Sequence, residues 1–112
     1  MKNKERVMAM LDEIRELYSD VLTENLIDRL QIWAKIAYES AERCDLRDVL
    51  FAVVTYTRLG EDYWFMRRSL IEEDVLVKIA RKISDAEDLL IDDVTKILQT
   101  KCGCRGPSLH IF

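Results

Sequence analysis

The sequence predicts an all-α protein, an antiparallel bundle of about five to six helices. Three observations point there. Helix breakers are few: the 112 residues include three Gly and one Pro. Leu, Ala, Glu, Lys and Arg are abundant, and these side chains lose little rotamer freedom in a helix. Apolar residues recur at three- and four-residue intervals, the period of one helical face. At 49% apolar residues, a chain of this length fills one core, so a single bundle domain is expected over residues 1–101, with an irregular tail at 102–112.

The first helix is expected over about residues 3–20, where Val7, Met10, Leu11, Ile14, Leu17, Tyr18 and Val21 share one face. Thr23 suits the N-cap of a second helix over about 24–43, whose stripe is Leu26, Ile27, Leu30, Trp33, Ala34, Ala37 and Tyr38. Asp45 suits the N-cap of a third, about 46–59, with Gly60 placed where a C′ glycine ends a helix. Neither Gly nor Pro breaks residues 43–45, so one continuous helix over 24–59 is the alternative. Residues 62–68 read as a short aromatic helix or turn. Ser69 with Glu72, then Ser84 with Glu87, have capping-box spacing, which predicts helices over about 70–83 and 85–101. The tail, CGCRGPSLHIF, ends too apolar to be only solvated, and is expected to pack on the bundle or on a partner chain.

A formal charge of −4 and a pI near 5.0 argue against a general nucleic-acid binder, which needs a basic footprint. No run reaches the roughly 18 apolar residues of a membrane span. The N-terminal stretch MKNKERVMAMLDE turns acidic before a signal-peptide apolar region develops, so a cytoplasmic protein is expected. Cys44, Cys102 and Cys104 are odd in number, which in such a chain points to reduced thiols. With His110 they make four zinc ligands by count, but C-x-C is not zinc-finger spacing and plain tail thiols are the simpler reading. A single His in the tail, with no nucleophile elbow or Gly-rich phosphate loop, leaves no nucleophilic triad to assemble.

The most informative stretch runs from Glu39 to Asp62. Glu39, Glu42, Asp45 and Asp48 stand at spacings of three, and the apolar run Val49 to Val54 follows. Acids at i and i+3 share a helix face, about 5–6 Å apart at Cβ, close enough to bind one hard cation. The simpler use of such acids is a solvated face paired with Arg43 and Arg47, with Asp45 as a cap.

The segment Asp45-Leu-Arg-Asp48-Val-Leu-Phe-Ala-Val-Val resembles the second metal motif of the all-α nucleotide pyrophosphatases, the MazG-like superfamily, and Arg58-Leu59-Gly60 is similar to the end of that motif's helix. The likeness covers about residues 45–60. It implies an oligomeric helical bundle, simplest as a homodimer. It also implies Mg²⁺-dependent hydrolysis of a nucleoside triphosphate to the monophosphate and pyrophosphate, with Mn²⁺ as the alternative ion. In the family a Glu-x-x-Glu pair on a preceding helix completes the metal site. Glu39 and Glu42 are favoured for that pair if the chain turns near Cys44, which puts them at the same end of a hairpin as Asp45 and Asp48; a continuous helix over 24–59 would undo this. Glu13 and Glu16 are the better local sequence match and the alternative pair. Lys78, Arg81 and Lys82, on the helix after the motif, are implied to hold the phosphates. Trp33 or Tyr56 are candidates to stack a base. Asp45 stands where the family usually has Glu, and Arg47 where a small residue often precedes the motif Asp, so what the resemblance implies is either an active or a degenerate form of that fold. A reading of a different class needs no metal: a non-catalytic helical interaction module, with the aromatic segment Tyr63-Trp64-Phe65 at a subunit contact.

Overall fold

The computed structural model describes residues 3–22 and 25–103. Those residues form four helices: α1 (Asn3–Leu17), α2 (Leu26–Glu42), α3 (Leu46–Arg67) and α4 (Glu73–Lys101). Neighbours in sequence pack antiparallel, and α1 returns to α4, where Asn3 meets Asp93 and Glu13 meets Lys82. The result is an up-down-up-down bundle with a shared core of Val7, Leu11, Ile14, Leu30, Ala34, Val49, Val53, Tyr56, Ile79, Leu90 and Val94. Among the described residues no helix is long and apolar enough to cross a membrane.

Four helices replace the five or six expected because two sequence signals for a break are overridden. Gly60 lies inside α3, which runs on to Arg67 and absorbs the aromatic segment 62–68. Glycine is compatible with a helix interior at a cost of roughly 1 kcal/mol relative to Ala. Here packing on both sides of the position offsets it, with Tyr56 and Tyr63 buried before and after. The capping-box spacing at Ser84 and Glu87 likewise starts no helix. Ile79, Ile83, Ala86, Leu90 and Val94 keep one buried face through it, so α4 continues for 29 residues. At 1.5 Å per residue that is about 44 Å, and it sets the 45 Å long dimension of the molecule. The Ser69–Glu72 spacing is also not used as expected, since Glu72 itself occupies the N-cap position of α4.

The break between α2 and α3 is real, although no Gly or Pro marks it. Cys44 takes the left-handed conformation at φ 60°. The Asp45 N–H donates to Ser40 O (2.9 Å) and the Cys44 N–H to Ala41 O (3.0 Å). These two bonds make a Schellman motif with a cysteine in the position usually held by glycine. Asp45 then caps α3 as expected, its side chain accepting from the Asp48 N–H at 3.1 Å. At the start of α2, Asn25 occupies the cap position without a side-chain cap bond. The expected cap, Thr23, lies outside the described residues.

The cysteines correct the expectation of reduced thiols. Cys44 and Cys102 form a disulfide, with their Cα atoms 5.5 Å apart. A separation of 58 residues hides this pairing in the sequence. It follows from the fourth helix ending beside the α2–α3 turn. Cys104 and His110, which the zinc reading needed, lie outside the described residues, as does the apolar end of the tail.

Two stability outcomes follow. Gly60→Ala is expected to raise stability by about 0.5–1 kcal/mol in urea unfolding. The position is helical, and an added Cβ meets Ile83 Cγ2 at 3.4 Å, an ordinary contact. A loss of stability would mean that the added methyl crowds Ile83. Cys102→Ser is expected to cost about 2–4 kcal/mol, since the bond closes a long loop in the unfolded chain. Reductant should lower the wild-type midpoint similarly and leave the variant's unchanged.

Candidate functional site

The four acids of the α2–α3 hairpin sit at one end of the bundle, but most have local partners. Asp45 spends a side-chain oxygen on the α3 cap. The Asp48 carboxylate lies 3.9 Å from the Arg43 guanidinium, and Glu42 pairs with Lys101. Glu39 is exposed. Among the described residues no group of three or more acids, Cys or His is placed to hold a metal ion.

The other expected site residues lie elsewhere. Lys82 pairs with Glu13 at 3.4 Å, while Glu16, Lys78 and Arg81 are exposed. The disulfide places Cys102 at the level of Cys44, and Lys82 lies twenty residues earlier on α4. Helical rise therefore separates the basic cluster from Asp45 and Asp48 by about 30 Å along the axis. Glu13, held by Lys82, is as remote. Within one chain the basic residues and the hairpin acids do not share a site. Of the two candidate base-stacking residues, Tyr56 is fully buried and its hydroxyl donates to Ile83 O at 2.9 Å. Trp33 stands partly exposed, edge-on to Phe51 at 5.6 Å between ring centroids.

Two clefts collect the chemistry the fold does assemble. The first, about 420 Å³, lies between α2, α4 and the start of α1, and Glu39 and Glu42 line it with Lys4, Lys96 and Asp93. Asp93 is buried, which the sequence reading missed. Its carboxylate accepts from the Tyr38 hydroxyl and from Asn3 Nδ2 (2.8 Å), and so links three helices. Burial, reinforced by the bond to Asp93, raises the Tyr38 pKa well above the ordinary phenol value. Removing either partner strands the other, at a typical cost of about 1–3 kcal/mol.

The second cleft, about 470 Å³, lies between the C-terminal half of α3 and the N-terminal half of α4. Its walls are mainly apolar and aromatic, with Tyr63, Trp64 and Phe65 among them, and with Glu61 and Glu87 as the charged groups. Burial pushes the Glu87 carboxyl up. The bond from Thr57 works against that, and the negative charges of Asp88 and Glu61 add to it. Thr57 Oγ1 touches both Val53 O (3.0 Å) and the Glu87 carboxyl. A hydroxyl has one hydrogen, so it donates to one of them at a time. When it donates to Val53 O, a protonated Glu87 completes the pair as donor.

Glu87 and Asp93 both carry a signal that was available in the sequence. Each stands on the apolar stripe of α4, Glu87 four residues after Ile83 and Asp93 three after Leu90. A carboxylate on such a stripe is either buried with partners or lining a cleft.

The raised Glu87 pKa has a defined sign. Its contribution to stability is full below the unfolded-state value, near 4.3, and is lost as pH rises through the folded value. Glu87→Gln keeps an acceptor for Thr57 and removes the titration. Its thermal midpoint relative to wild type is expected to climb as pH goes from about 4 to 7. Parallel midpoint profiles would show that Glu87 is solvated in the fold.

No family model matches the chain, and neither the curated proteins nor the solved structures include a match to it.

Proposed function

We propose that the chain is a non-catalytic helical interaction module that assembles with a second copy of itself. The observation that carries this reading is the apolar surface left uncovered on the bundle. Phe51 is 62% exposed beside Trp33, and Ile32 is exposed on the same helix as Trp33. At the far end of α3 Phe65 and Met66 are 59% and 70% exposed, and Leu70, just beyond it, is 71% exposed. Large apolar side chains grouped on a surface mark contact sites, and a closed pair of identical chains is the commonest way to cover them. The acids serve this reading as a cap and as ion-pair partners, with no catalytic demand on them.

A second reading, Mg²⁺-dependent nucleoside triphosphate pyrophosphohydrolase, rests on the first cleft. Glu39 and Glu42 line it beside two lysines, Lys4 and Lys96, and Asp45 and Asp48 open α3 at the same end of the bundle. In this reading the acids carry hard Mg²⁺ or Mn²⁺ ions, which activate a bound water, and Lys4 and Lys96 take the place of Lys78, Arg81 and Lys82 beside the phosphates.

Two measurements separate the readings. Light scattering at micromolar concentration is expected to give the mass of a dimer, and Phe51→Glu to give a monomer if that face is the contact. A monomer mass for wild type would sink self-assembly. A panel of nucleotides incubated with Mg²⁺ is expected to yield no pyrophosphate above a control without protein. Pyrophosphate release that Asp48→Asn abolishes would establish the hydrolase instead.

A further inference from the structure

We propose that the cleft between α3 and α4 binds a small organic ammonium ion, a single positive charge on an apolar body. The proposal rests on neither reading above, although Phe65 belongs both to this lining and to the exposed apolar surface of the first. Its volume, about 470 Å³, lies in the range of small-molecule sites. The lining decides the ligand's chemistry. Two carboxylates, Glu61 and Glu87, reach the cleft, and among the described residues no Lys, Arg or His lines it. Anions are therefore repelled, and a neutral ligand leaves the carboxylates without a counter-charge. A hard divalent ion is also a poor fit, because it requires about six oxygen ligands and the remaining walls are largely apolar and aromatic.

Aromatic walls suit an organic cation, whose charge is attracted to ring faces while its carbon body displaces water. Phe65 already shows this behaviour at the rim: the Arg68 guanidinium carbon lies 5.3 Å from its ring centroid, outside the cleft lining. Trp64 and Tyr63 present further ring surface within the lining. Tyr63 is held by its hydroxyl bond to Val21 O at 2.9 Å, so this wall is preformed. Thr57, also in the lining, reaches the Glu87 carboxyl from α3.

The test uses Trp64 as the reporter. The chain contains two tryptophans, so Trp33→Phe leaves Trp64 alone. Titration of this variant with phenethylammonium is expected to change Trp64 emission saturably. The neutral isostere 2-phenylethanol is expected to bind at least about tenfold more weakly, as is phenethylammonium to the Glu87→Gln form, the loss typical of one charge-assisted hydrogen bond. Glu61 is exposed, so Glu61→Gln keeps the fold and gives a second carboxylate variant, also expected to bind more weakly. Equal affinity for ion and alcohol, affinity unchanged in both Gln variants, or no saturable change at all would each overturn the proposal.

Discussion

The structure depends on the close diagonal approach of α2 and α4. Both helices run close to all the others, whereas the backbones of α1 and α3 stay apart among the described residues. Both helices carry small buried residues, Ala34, Ala37 and Ala41 on α2 and Ala86 on α4. Axes of helices faced with alanine can come nearer than those faced with leucine, since less side chain stands between them. The approach buries Asp93, a group costly to take from water unless it is hydrogen-bonded. Tyr38 from α2 and Asn3 from α1 meet that demand. The same bond therefore favours one register of α2 against α4, because sliding either helix strands a buried carboxylate and a buried phenol.

From that pair the ends of the bundle follow. α4 reaches the α2–α3 turn, where Cys102 bonds to Cys44 and Lys101 pairs with Glu42. The turn is held twice over, by its own Schellman bonds and by the disulfide. At the other end, Tyr63 reaches back to Val21 and ties α3 to the chain between α1 and α2. Between these ties α3 and α4 leave an aromatic cleft, and α2 and α4 leave a polar one. The clefts differ in charge. The polar one is lined by both acids and lysines, while the aromatic one has carboxylates alone as its charged groups. That difference gives the two surfaces different chemistry on a single small bundle.

The hairpin acids show which part of a site's geometry spacing leaves open. Asp45 and Asp48 were read correctly as the opening of a helix, because a cap and an apolar run are local features. Whether four carboxylates converge depends on rotation about each helix axis and on which cations lie nearby. Arg43 and Lys101 answer for Asp48 and Glu42. Lys101 is 59 residues away in sequence and reaches Glu42 only through the packing of α4. The basic helix face failed to join the acids for a similar reason: one straight α4 carries it far along the axis.

The sequence by itself determined the helical class, the Asp45 cap and most of the buried faces of α1 and α2, because each rests on side-chain periodicity or on a contact within a few residues; Leu17, on the expected face of α1, is exposed. It also contained, unread, the two acids set on the apolar stripe of α4. The tertiary structure alone decided that α3 passes through Gly60, that α4 is one helix, that Cys44 meets Cys102, and that Glu61 and Glu87 face one cleft. The first two are contests between a weak local preference of roughly 1 kcal/mol and packing along the whole helix, which packing wins. The last two join residues far apart in sequence, and only the order in which the helices pack brings them together.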